Sequence, residues 1–267
     1  MNYIELFGIS ASGKTYFKKR MISSLKSRRK KVFDQKKIII QFYLRNFDNN
    51  FLNYFRSYLA LFFYSKSAST VKSFFQRKRE VKKKNNKIYF NSSKKKWHHE
   101  IVDYVGIDNM YSEILNLLEK KLNIKKNYDL YKIILQEIYN MKQDNIFKSR
   151  LKKWFLENII LIDILKKNQN INCVIDEGIV HKIFIMFNLK KNNRQFIKKI
   201  IKHLDNYGDL YLIKTNLKNI QIRSLKRKKN FDGFIYENYE QIVKEYKNLV
   251  IFKKLIKNKI SYKKILN

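Results

Sequence analysis

The chain has 267 residues, of which 45% are hydrophobic and 15% aromatic, and this apolar content supports one α/β domain and excludes disorder over most of the chain. A single cysteine, Cys173, excludes a disulfide framework and a multi-cysteine zinc site, and points to a reducing compartment. The formal net charge of +37 has two interpretations: an electrostatic footprint for nucleic acid or anionic lipid, or compositional drift in a proline-free chain rich in Lys, Asn and Ile.

The sequence shows neither a targeting pattern nor a membrane-spanning one. The chain does not open with a basic segment followed by an apolar one, which is the pattern of a secretory signal. Its longest apolar stretch, Tyr58 to Tyr64, is too short to cross a bilayer. We therefore expect a cytoplasmic protein.

The first fifteen residues carry the most specific motif of the chain. An apolar run, Tyr3 to Phe7, leads into Gly8-Ile9-Ser10-Ala11-Ser12-Gly13-Lys14-Thr15, which fits the phosphate-binding P-loop pattern G-x-x-x-x-G-K-[ST]. The two glycines let the backbone curl until successive N–H groups face one anion. Lys14 then reaches the β- and γ-phosphates of ATP, while the Thr15 hydroxyl binds Mg²⁺. A helix predicted over Thr15 to Leu25 directs its positive end at the phosphates, the alternative being an ordinary strand-to-helix turn.

The segments after the P-loop are more ambiguous. Lys37 to Tyr43 is rich in β-branched residues and is predicted as the second strand. Phe51 to Ser65 has aromatic residues at helical spacing, which indicates a core helix or, alternatively, a peripheral membrane helix. Ser65 to Lys96 is rich in Lys and Arg and is the best candidate for contact with a large anionic partner. His98 and His99 are adjacent, whereas metal ligands on one helical face are spaced i, i+4, so the spacing argues against a metal-binding pair.

Two long amphipathic segments occupy the middle of the chain. Apolar residues recur at helical spacing over Asp108 to Met141 and again over Ile146 to Leu165. We interpret residues 46–167 as a largely helical insertion between the second and third strands of a single domain that spans residues 1–267.

Carboxylates follow the predicted third strand. Asn172 to Ile175 is a short apolar run that ends in Asp176-Glu177-Gly178. The carboxyl ends of parallel strands form the ligand-binding edge of an α/β sheet. At that edge Asp176 or Glu177 can hold the Mg²⁺ shell or accept a proton from an attacking hydroxyl, and Asp176 lies closer to the strand. The alternative is a polar turn whose carboxylate caps a helix over Ile179 to Phe187.

An arginine pair occurs in the last third of the chain. Arg223 and Arg227 are four residues apart and share one face of a predicted helix. Two guanidinium groups on one face suit a triphosphate whose charge spreads as the γ-phosphoryl group is transferred. The elements predicted here are helices over Arg194 to Leu204, Asn219 to Lys229 and Tyr236 to Lys247, and strands over Asp209 to Thr215 and Leu249 to Phe252.

This order of pieces resembles the nucleoside and nucleotide kinase group of P-loop proteins, in the broad style of thymidylate kinase. The resemblance is carried by Gly8 to Thr15, Asp176-Glu177, the strand Leu210 to Ile213, and Arg223 with Arg227 in the place of a lid. It is similar as well to stand-alone kinase-like proteins with Asp-Glu-Gly after the third strand, often seen alongside bacterial surface-polysaccharide genes. The resemblance implies a three-layer α/β/α P-loop NTPase fold with a five-stranded parallel sheet, ATP and Mg²⁺ binding, and a helical insertion that closes over the acceptor.

The chain also departs from the thymidylate kinase pattern. Those enzymes carry Asp-Arg after the third strand, where this chain has Asp176-Glu177, so the arginine for an acceptor phosphate is missing. Lys182, one turn further on, can replace it only as a point charge without the bidentate fork. A nucleoside, a nucleotide or a sugar-like hydroxyl compound therefore all stay open as the acceptor.

Three functional hypotheses follow. The leading one is a kinase that transfers the γ-phosphoryl group of ATP to a small hydroxyl acceptor, with Thr15 and Asp176 on Mg²⁺ and with the catalytic residues Lys14, Asp176, Glu177, Arg223 and Arg227. The second is a P-loop ATPase or polynucleotide kinase acting on nucleic acid, which the charge favours. The third is a non-catalytic nucleotide-binding or membrane-surface protein.

Overall fold

A computed structural model describes residues 2–47, 83–84, 87–88, 107–143, 145–168, 170–189, 194–204, 208–230, 239–257 and 260–266. The chain divides into two compact units. The sheet unit comprises Met1–Gln35 and Glu119–Asn267, and the inserted unit comprises Lys36–Leu118.

Five parallel strands form the centre of the sheet unit. They are β1 (Tyr3–Phe7), β2 (Lys31–Val32), β3 (Ile171–Ile175), β4 (Asp209–Lys214) and β5 (Lys263–Leu266). Their order across the sheet is β2-β3-β1-β4-β5, and every neighbouring pair is parallel. The strands β1 and β3 are nearly continuous apolar runs because helices cover both faces of a parallel sheet. The predicted α/β class with a five-stranded parallel sheet is confirmed.

The described residues also form helices in both units. They are α1 (Lys14–Ser27), α2 (Gln35–Phe47), α3 (Ile107–Lys121), α4 (Ile124–Asn127), α5 (Asp129–Tyr139), α6 (Asn145–Lys167), α7 (Ile179–Leu189), α8 (Arg194–Ile201), α9 (Leu217–Asn230) and α10 (Tyr239–Ile256). The helices α2 to α6 lie between β2 and β3 in the chain. Within the described residues, none of the helices combines the length and apolarity needed to cross a bilayer.

The direction in which the strands are added to the sheet reverses at β1. The chain runs from β1 to β2 on one side of the sheet, and after β3 it crosses β1 to reach β4 and β5 on the other side. In open α/β sheets, ligands bind at such a reversal, outside the carboxyl ends of the strands. The predicted P-loop begins there, directly after Phe7.

The predicted second strand over Lys37 to Tyr43 is wrong, because these residues belong to α2. A short apolar run fits a buried helix as well as a buried strand. The run places Ile39 and Tyr43 one helical turn apart, and both are buried. The second strand is instead Lys31–Val32, which pairs with Ile171 and Asn172 of β3.

The predicted last strand over Leu249 to Phe252 is also wrong, because it lies inside α10. Phe252 is fully buried, with its ring centroid 5.3 Å from that of Phe184 and 5.9 Å from that of Phe187 on α7. The fifth strand is β5, in the basic tail, where Lys263 pairs with Tyr211 of β4. At the sheet edge a strand pairs with one neighbour only and its side chains stay largely exposed, so a strand as polar as this one can form there.

Other predicted elements are found close to their expected bounds, namely the strands β3 and β4 and the helices α1, α6, α7, α8 and α9. In the inserted unit, Lys83–Lys84 pairs antiparallel with Lys87–Ile88. The rest of the predicted basic segment Ser65 to Lys96 lies outside the described residues. So do the predicted helix over Phe51 to Ser65, and His98 and His99.

Candidate functional site

Three strand ends of the sheet unit come together at the carboxyl edge. The loop Gly8 to Thr15 follows β1, Asp176 follows β3, and Thr215 follows β4. The Thr15 hydroxyl donates a hydrogen bond of 2.9 Å to Oδ2 of Asp176. The Thr215 hydroxyl donates one of 2.7 Å to the carbonyl oxygen of Ser12. Side chains from the two neighbouring strands therefore hold the loop from both sides.

The backbone of the loop is curled in the way an anion-binding loop requires. Gly8 has a φ of 152° and Gly13 a φ of 97°, and Ala11 adopts a φ of 59° between them. A Cβ atom on Gly8 would lie 2.9 Å from the carbonyl oxygen of Ile213, so both the conformation and the close approach favour glycine. Gly13 caps α1 without a side-chain hydrogen bond, which leaves the first-turn amides of α1 for a ligand.

Lys14 folds back over the start of the loop. Its side-chain amine donates hydrogen bonds of 2.9 Å to the carbonyl oxygens of Gly8 and Ile9. The residue is only 9% exposed. A buried positive charge thus lies against the same backbone that would surround a phosphate group.

Asp176 is held by two residues of α1. Its Oδ2 accepts the bond from Thr15, and its Oδ1 lies 3.1 Å from the Lys18 ammonium. Burial opposes ionisation of this carboxyl, but the Lys18 charge and the hydrogen bonds from Lys18 and Thr15 outweigh it and lower the pKa of Asp176. Burial likewise lowers the pKa of Lys18, and the charges of Asp176 and Asp34 outweigh it, so that its pKa is raised. The pair is therefore ionised at neutral pH.

The oxygen donors of Thr15 and Asp176 fit a magnesium ion. Mg²⁺ takes oxygen ligands, and in nucleotide sites one or two protein ligands suffice because phosphates and water complete the shell. Within the described ranges, no group of three or more His, Cys, Asp and Glu side chains is placed to hold a metal ion by itself. The hydroxyl and carboxylate set is thus suited to an ion that arrives with a nucleotide.

Glu177 lies beside Asp176 but faces a different partner. Its carboxylate pairs with the Lys182 ammonium at 2.7 Å. That ammonium also lies 4.1 Å from the ring centroid of Trp154 on α6, and the Lys182 side chain is 4% exposed. The sequence suggested Lys182 as a substitute for an acceptor-binding arginine. Its ammonium is already held by two contacts, which disfavours that use.

The two predicted arginines are both found on α9. Arg223 reaches the loop, where its guanidinium donates a hydrogen bond of 3.2 Å to the carbonyl oxygen of Ser12. The side chain of Arg227, one turn later, falls outside the described part of the chain. The structure thus brings Lys14, Thr15, Asp176 and Arg223 together.

Lys18 and Glu5 were missed in the sequence. Lys18 is three residues after Thr15, so its helical spacing from the motif was the available signal. Glu5 is a fully buried acid in the middle of an apolar strand. Burial raises the pKa of Glu5 to about 7, against hydrogen bonds from His181, Val180 and Tyr3 that lower it.

His181, in the first turn of α7, is a further buried titratable group. Burial, together with the charges of Lys14 and Lys182, lowers its pKa well below the ordinary value of 6.5. Among the described residues, its Nδ1 atom has no hydrogen-bond partner. The ring is therefore neutral at physiological pH, and it is not a source of positive charge for the site.

Comparison with known proteins does not place the chain in a family. No known protein family, curated protein or solved structure matches it. Its function must be inferred from its own residues. Those residues form an α/β unit with a curled glycine loop, a buried lysine and an ionised carboxylate at one edge of a parallel sheet.

Proposed function

We propose that the chain is an ATP-binding enzyme with a P-loop NTPase fold that transfers the γ-phosphoryl group to a small hydroxyl acceptor. The observation that carries the proposal is the contact between Thr15, at the end of the glycine loop, and Asp176, at the end of the neighbouring strand. In P-loop NTPases, a Ser or Thr of the loop and an Asp at a strand end hold the magnesium ion together. Such an enzyme would act in the cytoplasm, where ATP is supplied.

Each loop residue has a defined role in this proposal. The backbone amides of residues 8–15 and the Lys14 ammonium bind the β- and γ-phosphates. Mg²⁺, when bound to Thr15 and Asp176, would neutralise negative charge on the phosphate oxygens. Because its pKa is lowered, Asp176 is better suited to this ionic role than to proton transfer. Arg223, anchored on the Ser12 carbonyl, and Arg227 would stabilise the charge of the transferring group.

The residues after β3 bear on the acceptor. Thymidylate kinases bind an acceptor phosphate with an arginine in this turn, and this chain has Glu177 instead. Lys182, in the first turns of α7, is held by Glu177 and Trp154. An acceptor without a phosphate group, such as a nucleoside or a sugar, is therefore the better fit.

The test is ATP binding by the full chain and by its Lys14→Ala variant. Removing the ammonium takes away charge-assisted hydrogen bonds worth about 1.5 to 3 kcal/mol, so we expect ATP affinity to fall about 10- to 100-fold. Lys19→Ala removes an exposed lysine of the same helix and should leave the affinity unchanged. Equal ATP affinity of Lys14→Ala and the parent chain would contradict the proposal. A screen of hydroxyl acceptors with labelled ATP then identifies the second substrate.

The charge of +37 favours a second candidate function, a P-loop ATPase or polynucleotide kinase that acts on nucleic acid. This alternative predicts that ATP turnover rises when DNA or RNA is added and that nucleic-acid affinity falls steeply with salt. ATP turnover that does not change on adding DNA or RNA would exclude this alternative. ATP binding without transfer to any acceptor would instead favour a nucleotide-binding protein without catalytic activity.

A further inference from the structure

Glu5 connects the central strand to the turn that carries Asp176. It lies in the middle of β1, opposite Ile175 of β3, which is the residue directly before Asp176. Its side chain is fully buried. Burying an acid at such a position destabilises the fold unless hydrogen bonds compensate for its lost hydration. The hydrogen-bond partners of Glu5 therefore indicate what it stabilises.

The partners of Glu5 are the first amides of α7. Its Oε1 accepts a hydrogen bond of 2.8 Å from the backbone N–H of His181, and its Oε2 accepts one of 3.3 Å from that of Val180. The Tyr3 hydroxyl donates to Oε2 at 3.0 Å and accepts the backbone N–H of Ile179 at 3.3 Å. These three amides are donors that a helix leaves without partners within itself. Two side chains of β1 therefore cap α7 from inside the core.

Gly178 allows this cap to form. A Cβ atom built on Gly178 would overlap the Tyr3 hydroxyl and the Glu5 carboxylate. Both groups are buried and hydrogen-bonded, so neither can move aside without losing its partners. The turn Asp176-Glu177-Gly178 is thus held at one end by the pairing of β3 with β1 and at the other by Glu5.

We infer that Glu5 is a positioning residue of the phosphate site: by fixing the first turn of α7, it sets the Asp176 carboxylate opposite the Thr15 hydroxyl. The inference rests on the proposed function, which assigns Thr15 and Asp176 to the magnesium ion. Glu5 itself touches neither residue through a hydrogen bond. It acts through the backbone of residues 178–181, which follows Asp176 directly.

The experiment measures the ATP dissociation constant with Mg²⁺ and with a chelator in its place. The variants are Glu5→Gln and Asp176→Asn, with Glu240→Gln, an exposed acid in the first turn of α10, as the matched control. Outer groups that orient metal ligands typically contribute 10- to 100-fold to metal affinity, so Glu5→Gln should reduce the Mg²⁺ enhancement of ATP binding about 10-fold or more. Its affinity for metal-free ATP should stay unchanged, because the P-loop amides and Lys14 are intact. The double variant Glu5→Gln with Asp176→Asn should lose no more of the Mg²⁺ enhancement than Asp176→Asn alone.

An undiminished Mg²⁺ enhancement in Glu5→Gln, with a loss in Asp176→Asn, would overturn the inference while leaving the proposed function intact. If Glu5→Gln does not fold, Glu5→Asp takes its place, since it keeps the charge but draws the carboxylate back by one methylene. It should show the same loss.

Failure of the parent chain to bind ATP would instead overturn the proposed function, and amide hydrogen exchange then decides the inference. Faster exchange of residues 178–181 in Glu5→Gln, with β4 unchanged, supports positioning by Glu5. Equal exchange of residues 178–181 in the two proteins refutes it.

Discussion

We predict that lowering the pH stabilises this protein relative to a variant that lacks the buried carboxyl group of Glu5. Its pKa is raised from the ordinary value of 4.5 to about 7 by burial. Between these two values the folded chain binds more protons at this site than the unfolded chain. The contribution of Glu5 to the free energy of unfolding is therefore full below pH 4.5, falls as the pH rises, and is lost above about pH 7.

The size of the effect follows from the two pKa values. Each pH unit between them corresponds to about 1.4 kcal/mol, so the difference amounts to about 3 kcal/mol. His181 acts in the opposite direction, because its lowered pKa means that the unfolded chain takes up the proton below pH 6.5. The parent chain alone therefore shows only the sum of the two effects.

A comparison with Glu5→Gln isolates the contribution of Glu5. Urea unfolding, followed by far-UV circular dichroism, gives the free energy of unfolding of both proteins at a series of pH values from 4.5 to 8. We expect the stability of Glu5→Gln minus that of the parent chain to rise by about 3 kcal/mol over this range. A difference that does not change with pH would refute the assignment of a raised pKa to Glu5.

Two further predictions concern the neighbours of this carboxyl. Gly178→Ala should lower the free energy of unfolding by about 1 to 3 kcal/mol, because its methyl group would overlap the Tyr3 hydroxyl and the Glu5 carboxylate. Lys19→Ala, at an exposed position of α1, should change it by less than about 0.5 kcal/mol, and equal urea midpoints for the two variants would contradict the packing argument. Lys18→Met removes the ammonium 3.1 Å from Asp176, so the carboxyl pKa measured by NMR should rise, whereas a pKa left where it is would show that Lys18 does not hold it down.

The elements near the glycine loop of residues 8–15 were predictable because their determinants are local. The apolar run of β1, the two glycines and the start of α1 occupy fifteen consecutive residues, and each acts through its own backbone preference. The apolar runs of β3 and β4, each ended by polar residues, were found in the same way. Asp176 could be placed at the carboxyl edge of the sheet because it follows a parallel strand.

The two wrong strands show the limit of local patterns. Ile38 to Ile40 and Leu249 to Phe252 are apolar runs whose length and composition fit a strand or a helix equally well. Which segments became the outer strands depended on pairing at the two edges of the sheet. The edge strands are Lys31–Val32, beside β3, and Lys263–Leu266, beside β4. Both segments are polar, so their sequences did not indicate strands.

The sequence alone determined the glycine loop, the strands β1, β3 and β4 and the presence of a carboxylate at the third strand end, because these depend on residues close together in the chain. Tertiary structure alone decided that Thr15 meets Asp176, that Lys18 neutralises this carboxylate, and that Glu5 caps α7. Each of these contacts joins residues far apart in sequence. They form only once the register of β1 against β3 is set, because that register determines which side chains share the same space.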